Sequence, residues 1–414
     1  MITVLGVGTG GPVPDVGAAD LVVGAARHLD AVQLPAGARR VLLGPLAPAL
    51  DTIAEYAAAP SARVVVLASG DPGFFGIVRA LGARFGAAAL DVRPSSPSVA
   101  VAFARLGLRW DDAVVVSAHG RDLRTAVHVC RAHPKTAVLT GPGAGPAELG
   151  AALARTGLDR TLVVASALGT DAERVERVSP ARAAERDWSG AGVAVVLCLA
   201  ADSFGERADV SRTVAGPPPA PAQWALPEEE FAHRDSMVTK FEVRALALAR
   251  LGPRTGDLVW DVGSGSGSVA VECARFGAAV VAVEKTADGV ERIRANAGAH
   301  GVDVQVVHGD APAALDGLPD PDAVFVGGGG RELAAIVEAC ARRARRTVVV
   351  TLAAVDRVAE VRGALRAAGL VPDGVLLQSS RLAPLPGEVA RLAATNPVFV
   401  LWARRPAPQE GELS

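Results

Sequence analysis

Lysine is nearly absent from this chain of 414 residues: of 42 basic residues, three are lysine (Lys135, Lys240 and Lys285) and arginine supplies the rest. Aromatic residues make up 4% and charged residues 21%, and the formal net charge is −2. No basic surface is therefore available to collect phosphates, and few rings are present on which bases could stack. The composition argues against a nucleic-acid partner.

Cysteines and long apolar runs are scarce as well. The four cysteines stand far apart without a C-x-x-C pair, which excludes a zinc ribbon or a disulfide framework, so no metal site is predicted (Cys130, Cys198, Cys273 and Cys340). The late apolar run 191–201 is about half the length of a membrane span, and the first residues lack the basic region of a signal peptide. We expect a cytoplasmic protein with reduced thiols and no membrane partner.

Hydrophobic residues make up 50% of the chain, and its length corresponds to two or three domains of about 100–200 residues each. Residues 216–221 read Gly-Pro-Pro-Pro-Ala-Pro, which can form neither a helix nor the interior of a sheet. We therefore predict a linker over 204–225 between a domain at 1–203 and a domain at 226–405, followed by a flexible tail at 406–414.

Short β-branched runs alternate with Ala/Leu/Arg-rich helical runs in both halves. This alternation predicts two α/β domains with largely parallel sheets, in which ligands bind beyond the carboxyl ends of the strands. The predicted strands lie at 2–7, 64–68, 113–117, 136–139, 161–165 and 193–199 in the first half, and at 258–262, 279–283, 304–307, 323–326, 347–351 and 397–402 in the second.

A glycine-rich loop follows the first strand of the second half. Asp261 ends that strand, and Gly263, Gly265 and Gly267 follow at alternate positions before a helical run. The next strand ends at Glu284, where an acid can accept hydrogen bonds from a ribose diol. The third strand leads to a turn containing Asp310 and Ala311, which can line an adenine. The set predicts a nucleoside-binding site.

The spacing of these glycines differs from the G-x-G-x-x-G of dinucleotide sites, and Asp261 suits an ammonium better than a pyrophosphate. The loop resembles the first motif of class I S-adenosylmethionine-dependent methyltransferases, which implies a Rossmann-like fold. The fourth strand leads to four glycines, 327–330, and not to the Pro-Pro loop of many base methylases. Those glycines can form a bare surface for a flat ligand, a mobile lid or simply a flexible loop.

Residues 226–404 resemble a more specific group within that class. The stretches 226–231 and 237–244, the turn at 309–312, the four glycines and Asn396-Pro397-Val398 are similar to the cobalamin-pathway methyltransferases that modify C15 and decarboxylate the C12 acetate. The resemblance implies that the cofactor is contacted by Thr239, Gly263, Gly265, Gly267, Glu284 and Ala311.

The first half opens with a strand and then Gly6, Gly8, Gly10 and Gly11. Although Gly6-x-Gly8-x-x-Gly11 matches a dinucleotide fingerprint, Pro12 and Pro14 prevent the loop from running into a helix. A second loop, 69–76, begins Ser-Gly-Asp-Pro, which is also typical of a plain type I turn.

Together the two loops resemble the tetrapyrrole methylase family, which binds S-adenosylmethionine between two α/β lobes. The segments 94–98, 106–110 and 117–121 are similar to its precorrin C5-methyltransferase branch, with Thr9 in place of the usual proline and Ala118 in place of the usual leucine. The resemblance covers residues 2–201 and implies a cofactor site at Gly6, Gly8, Gly10, Gly70, Asp71 and Ser98.

Two polar residues of the first half are candidate catalytic residues. His119 can transfer a proton near neutral pH, and Arg121 can hold a substrate carboxylate. The alternative is a strand-end histidine beside a solvated arginine. The four arginines at 342, 343, 345 and 346 indicate a solvated helix face or, as a second interpretation, a rim that attracts carboxylates.

The two resemblances agree on one substrate lineage. They imply a bifunctional methyltransferase of cobalamin biosynthesis that methylates a precorrin at C5 and C15, decarboxylates it, and forms homo-oligomers. Catalysis would depend on positioning and on exclusion of water. The alternatives are an RNA or protein methyltransferase, or a fusion in which one half serves only as a binding or scaffold module.

Overall fold

The computed structural model describes residues 1–191, 194–204, 214–217, 221–234 and 238–405. Most of the predicted linker, the tail at 406–414, Met237 and Val193 lie outside these residues. The chain divides into two compact units: Met1–Leu123, Lys135–Arg155 and Asp159–Pro217 form one, and Arg124–Pro134, Thr156–Leu158 and Pro218–Ser414 form the other. The domain boundaries given above remain predictions.

The first unit begins with a parallel sheet of order β3-β2-β4-β1-β5. Val7 and Ser69 are paired at the carboxyl ends of β1 and β4, so the two predicted loops lie side by side. The elements are β1 (Ile2–Val7), β2 (Leu21–Gly24), α1 (Ala26–Ala31), β3 (Arg39–Leu42), α2 (Leu46–Ala57), β4 (Val64–Ser69), α3 (Val78–Phe85), β5 (Leu90–Arg93) and α4 (Ser98–Leu106).

A second sheet of the first unit has the order β6-β7-β10-β8-β9. Only β6 and β7 pair in parallel, so the prediction of largely parallel sheets is wrong here. The connection 167–173 between β8 and β9 is too short for the crossover that a parallel pair requires. The elements along this part of the chain are β6 (Val114–Ser117), α5 (Leu123–Ala132), β7 (Lys135–Leu139), α6 (Pro146–Ala154), β8 (Thr161–Ser166), β9 (Arg174–Val178), α7 (Pro180–Glu185) and β10 (Ala194–Leu199). Nearly all of α5 belongs to the second unit.

The second unit contains a sheet of order β13-β12-β11-β14-β15-β19-β16, in which the first five strands are parallel and β19 is antiparallel to both neighbours. A separate hairpin joins β17 and β18. The elements are α8 (Phe241–Leu251), β11 (Leu258–Val262), α9 (Ser268–Arg275), β12 (Ala279–Glu284), α10 (Ala287–Ala299), β13 (Gln305–His308), β14 (Ala323–Val326), α11 (Leu333–Arg343), β15 (Thr347–Leu352), α12 (Arg357–Ala367), β16 (Val371–Leu377), β17 (Ser380–Leu385), β18 (Val389–Ala394) and β19 (Val398–Arg404).

Buried strands explain why the central elements were predictable. Every residue of β11, β12 and β14 is buried, as is usual for parallel strands covered by helices on both faces, and their sequences are apolar except for Asp261 in β11 and Glu284 in β12. The core is built of Val, Ala and Leu, with Trp260 as its largest fully buried side chain. The α/β class predicted for both halves is confirmed.

Candidate functional site

In the second unit, the loop after β11 contains one glycine that lines a cavity and has free space beside it. Gly265 has φ of +60°, and a Cβ added there would meet no heavy atom within 4 Å. Its neighbours are packing positions instead: a Cβ at Gly267 would lie 3.1 Å from Ile293 of α10, and one at Gly263 would lie 3.1 Å from the Gly328 carbonyl. Of the three predicted glycines, Gly265 is therefore the one that leaves its space to a ligand.

Asp261 is a fully buried acid at the end of β11. One carboxylate oxygen, Oδ2, accepts hydrogen bonds from Ser264 Oγ at 2.7 Å and from the Ala270 amide at 3.0 Å. The other, Oδ1, is buried and has no hydrogen-bond partner in the described structure. Burial raises the pKa of Asp261 to about 6. Asp261 does not itself line the cavity described below, but a cationic group bound nearby would favour its charged carboxylate.

Glu284, at the end of β12, ties the glycine loop to its neighbour. Its carboxylate accepts hydrogen bonds from the Gly265 amide at 2.9 Å and from the Thr286 amide and hydroxyl at 2.9 and 2.8 Å. It remains on the cavity wall, although its side chain is largely buried. The acid predicted to bind a ribose thus also fixes the loop.

These elements enclose a cavity of about 530 Å³, which is within the range of small-molecule sites. The predicted residues Thr239, Gly263, Gly265 and Glu284 line it, whereas Gly267, Asp310 and Ala311 do not. Other lining residues come from the segment before α8, from α8, α9 and α10, from the loops after β11 and β12, from the ends of β14 and β15, and from the start of β19 (Arg234, Val238, Lys240, Val243, Ser264, Ser266, Val269, Lys285, Thr286, Asp288, Arg292, Phe325, Gly327, Thr351, Leu352, Ala353 and Val398).

A buried ion pair holds the leading segment, which we define as residues 226–234 and 238–240. Arg244 and Glu272 are both fully buried, 3.6 Å apart. The Arg244 guanidinium donates to the carbonyls of Thr239 and Leu226, and Glu272 accepts from the Leu226 amide at 2.6 Å. The wall that carries Thr239 is therefore fixed by a charged pair, which the sequence analysis missed because its partners are remote in sequence.

The four glycines after β14 pack against the first loop. The Gly327 amide donates to the Val262 carbonyl at 3.0 Å, and a Cβ at Gly327 would lie 2.9 Å from the Phe325 ring. A Cβ at Gly329 would lie 2.9 Å from Leu333. These close approaches require small residues, so packing explains two of the four glycines.

The arginines at the end of α11 form structural ties. The Arg343 guanidinium donates hydrogen bonds to Asp320 and to the carbonyls of Leu315 and Leu318. The Arg346 guanidinium donates hydrogen bonds to Asp257 and to the carbonyls of Leu251 and Gly252. Neither residue lines the cavity. For these two positions, both the solvated-face interpretation and the carboxylate-rim interpretation are wrong, because their side chains hold loops of their own unit.

In the first unit, Gly6 lies where three backbone segments meet. A Cβ at Gly6 would lie 2.1 Å from the Gly70 carbonyl oxygen and 2.3 Å from the Ser95 amide. The Ser95 amide donates to Gly70 O at 3.1 Å, and the Gly70 amide donates to Val7 O at 3.0 Å. The predicted cofactor residues Gly6, Gly70 and Ser98 therefore lie at one junction, since Ser98 N would be 3.5 Å from a Cβ at Gly70.

The loop beyond Gly6 leaves open space. A Cβ at Gly8, which has φ of +90°, would meet no heavy atom within 4 Å, and one at Gly10 would only approach Gly169 at 3.5 Å. Thr9 has φ of +63°, which a proline cannot adopt, and its hydroxyl donates to Ser96 O at 2.7 Å. Asp71 caps its own turn by accepting from the Gly73 amide at 2.8 Å.

The two catalytic candidates follow β6 at the surface. His119 Nδ1 lies 3.3 Å from the Thr140 carbonyl oxygen. The Arg121 guanidinium lies over the Phe75 ring at 5.8 Å, and Phe75 packs edge-on against Phe74 at 4.9 Å. Both rings are exposed. An exposed cation beside two exposed rings suits a flat anionic ligand; the sequence analysis did not single out these rings.

A larger depression of about 610 Å³ in the first unit is unrelated to these loops. Asp20 and Ala62, which line it, precede β2 and β4, so it lies at the edge of the sheet opposite Gly8 and Gly70. None of the predicted residues lines it.

The described residues fit S-adenosylmethionine at the second unit. The open position at Gly265, the free oxygen of buried Asp261 and the carboxylate of Glu284 suit a cationic nucleoside. In the first unit, the open space at Gly8 and the backbone junction at Gly6 and Gly70 offer a surface that a ligand can approach closely.

Comparison with known proteins gives two family matches. Residues 16–184 match the family described as Tetrapyrrole (Corrin/Porphyrin) Methylases, and residues 229–402 match the family described as Precorrin methyltransferase domain. These matches confirm the predicted pair of folds.

Two curated relatives cover most of the chain. A precorrin-6Y C(5,15)-methyltransferase [decarboxylating] of Sinorhizobium sp is 37% identical over 76% of this chain and 73% of its own length. A protein of the same name from Mycobacterium tuberculosis is 35% identical over 72% of this chain and 70% of its own length. A solved C-terminal domain of precorrin-6Y C5,15-methyltransferase from Rhodobacter capsulatus is 34% identical, covers 44% of this chain and 98% of its own, and has a TM-score of 0.39.

Proposed function

Because the chain belongs to the family of precorrin-6Y C5,15-methyltransferases (decarboxylating), we propose that its two units divide one sequence of reactions in cobalamin biosynthesis. The substrate is the precorrin-6 macrocycle. The first unit, which matches the tetrapyrrole methylases, methylates C5. The second, which matches the precorrin methyltransferase domain, methylates C15 and removes the carboxyl group of the C12 acetate.

The cofactor is S-adenosylmethionine, which supplies an activated methyl group when bound. In the second unit we assign its contacts to Thr239, Gly263, Gly265 and Glu284 on the cavity wall, with Asp261 as the buried counter-charge. Gly267 supports the loop by packing. Asp310 and Ala311 are proposed to contact the adenine from the neighbouring turn. In the first unit the proposed contacts are Gly6, Gly8, Gly10, Gly70, Asp71 and Ser98.

The chain's own residues position the substrate and exclude water. Arg121 is proposed to hold a peripheral carboxylate while the exposed Phe74 and Phe75 rings contact the macrocycle. His119 is proposed to accept a proton at the C5 site, with its ring oriented by the Thr140 carbonyl. In the second unit, the leading segment forms one wall of the cavity, and the buried pair of Arg244 and Glu272 holds it in place.

The observation that carries this proposal is the presence of two separate glycine loops, each with one position open to a ligand, in units that match two methylase families. An RNA or protein methyltransferase is disfavoured, because the curated relatives named above act on precorrin. Among the described residues, no helix is long and apolar enough to span a bilayer. A cytoplasmic location without nucleic-acid or membrane partners remains part of the proposal.

We also propose that the protein is a homo-oligomer and that the domain boundaries lie as predicted from sequence. The β17–β18 hairpin supports the first point: Leu382 and Leu392 are directly paired across it and are 78% and 68% exposed. Exposed leucines on one face of a two-stranded sheet favour burial against another protein surface. Sedimentation of the purified chain, with and without Leu382→Ser, tests this assignment.

The decisive experiment incubates the full chain with reduced precorrin-6 and S-adenosylmethionine and weighs the product by mass spectrometry. We expect two added methyl groups and the loss of one carbon dioxide. Unchanged macrocycle, or methylation of added RNA in its place, would contradict the proposal. Addition of a single methyl group would indicate that one unit serves only as a binding module.

A further inference from the structure

The three lysines of the chain are unevenly placed. Lys135 is buried in the first unit, where its ammonium binds both carboxylate oxygens of Asp112 at 2.7 and 2.9 Å. Lys240 and Lys285 both line the 530 Å³ cavity of the second unit. A guanidinium stays charged under all ordinary conditions, whereas an ammonium can give up a proton. In a chain that otherwise uses arginine, lysine at this cavity points to proton transfer.

Lys240 is the better placed of the two. It is half-buried, and among the described residues its ammonium has no ion pair or hydrogen bond. Its backbone is fixed, because its carbonyl accepts from the Arg244 amide at 2.8 Å and the preceding carbonyl accepts from the Arg244 guanidinium. Lys285 is exposed and follows Glu284, which holds the cofactor loop. A rigid backbone with an uncommitted ammonium is what a proton donor requires.

Other polar groups of the described cavity wall are poor acids at neutral pH. Arg292 donates to Asp288 at 2.8 Å, and this hydrogen bond lowers the pKa of Asp288, so that this carboxyl group is ionised. Glu284 already accepts three hydrogen bonds. The remaining polar side chains of the wall are the guanidinium of Arg234 and hydroxyls of serine and threonine, and both kinds of group hold their protons tightly. The proton donors left on the wall are thus the two ammonium groups, of which that of Lys240 is half-buried and that of Lys285 is exposed.

We propose that Lys240 is the acid that protonates the acetate carbon during decarboxylation, an assignment that rests on the proposed function. The bond between the acetate methylene and its carboxylate breaks, and carbon dioxide leaves. The electron pair passes into the conjugated macrocycle and returns to the methylene carbon to form a C–H bond with a proton from the Lys240 ammonium. A methyl group remains on the ring, and the neutral amine regains its proton from water.

The test compares Lys240→Met and Lys240→Arg in the full chain, with precorrin-6 and S-adenosylmethionine. Mass spectrometry separates macrocycle that is methylated and decarboxylated from macrocycle that is only methylated. General acids contribute about 10²- to 10⁴-fold, so we expect the ratio of decarboxylation to C15 methylation to fall at least about 100-fold in both variants. Arginine keeps the charge but does not release a proton, so it is not expected to restore the reaction.

Lys285→Met removes the exposed lysine of the same cavity. It can change the binding of the cofactor, but the ratio of decarboxylation to C15 methylation should stay at the wild-type value. If Lys240→Met lowers methylation and decarboxylation together and Lys240→Arg restores both, Lys240 is a carboxylate anchor and the proposal is wrong. An unchanged ratio in both variants overturns it as well. If the wild-type chain itself fails to decarboxylate, the proposed function fails independently of Lys240.

Discussion

The glycine loops after β1 and after β11 have similar sequences, but their glycines have different structural roles. Each loop contains at least one glycine that is required by packing and another that is open to a ligand. In the first unit the packing glycine, Gly6, precedes the open Gly8; in the second, the open Gly265 stands between two packing glycines, Gly263 and Gly267. The contact at Gly6 is with backbone atoms of two other loops, whereas that at Gly267 is with a side chain of α10.

The loops also differ in what ties them down. The second loop is held by two carboxylates, Asp261 and Glu284, whereas the first is held by backbone hydrogen bonds and the Thr9 hydroxyl. The buried carboxylate of Asp261, whose pKa is raised by burial, makes the second site sensitive to pH and to charge. The first site should respond mainly to steric change. Perturbing one loop at a time therefore tests whether the two sites act independently.

The largest effect is expected from Gly6→Ala. The added Cβ would lie 2.1 Å from the Gly70 carbonyl oxygen and 2.3 Å from the Ser95 amide, and neither backbone segment can move without breaking the junction. We expect destabilisation of the first unit by at least about 3 kcal/mol and no detectable C5 methylation. Thermal unfolding and single-methylation assays measure both.

Gly8→Ala serves as the matched control for that variant. Its Cβ would enter open space, so only the left-handed φ of +90° is penalised, by about 1–2 kcal/mol. A Gly6→Ala protein that unfolds at the wild-type temperature would show that the junction is not closely packed.

Gly265→Leu should have the next largest effect, this time on binding. The side chain would fill the cavity at a position that meets no other atom, so stability should change only by the strain of φ +60°. We expect C15 methylation and decarboxylation to fall at least about 100-fold while C5 methylation survives. Mass spectrometry of the products separates the two methylations, and equal loss of both would argue against independent sites.

The two glycine loops could be predicted from the sequence because each is recognisable within a short stretch of the chain. Strands flanked by glycines mark the ligand-binding ends of an α/β sheet, and Asp261 and Glu284 stand at the two strand ends where such reasoning looks. Sequence patterns did not reveal β2, β3, β5, β9 and β16–β18. Of these, β2 is buried and apolar but only four residues long, and the others are partly exposed and lack a continuous apolar run. The hydrophobic pattern of such short segments is too weak to identify them as strands.

Contacts between remote segments lie beyond that reach. The pairing of Arg244 with Glu272, the approach of Gly328 to Gly263 and the meeting of Arg121 with Phe75 join residues far apart in the chain. Lys240 could have been suspected from the scarcity of lysine alone. Its place on the cavity wall, however, follows only from the folded leading segment.

Asp261→Asn should produce an intermediate effect that is specific to the second loop. The substitution keeps the shape of the side chain but removes the buried charge that we propose balances the cationic cofactor. Hydrogen bonds to charged groups contribute about 1.5–3 kcal/mol, so S-adenosylmethionine affinity at this site should fall at least about tenfold. Calorimetric titration of the full chain should show one weakened and one unchanged site; two unchanged sites would contradict the role of Asp261.

The same substitution has a pH signature. Burial raises the pKa of Asp261 from 3.8 to about 6, so the folded state binds the proton more tightly than the unfolded state. The associated stability is present below about pH 4 and is lost as the pH rises to about 6. Two pKa units correspond to about 3 kcal/mol, and the Asn variant should lack this decline in thermal unfolding measured across the window.

The smallest effect is expected from Arg121→Met in the first unit. Arg121 is exposed and lies over the Phe75 ring, so a substrate carboxylate held there would remain in contact with water. Exposed ion pairs contribute up to about 1 kcal/mol, which corresponds to roughly a fivefold rise in KM for C5 methylation with kcat unchanged. Because salt screens exposed charges, the wild-type KM should approach that of the variant at high ionic strength. Arg121→Lys, which keeps the charge, should restore most of the affinity. A fall in kcat with constant KM would instead place Arg121 in the chemical step.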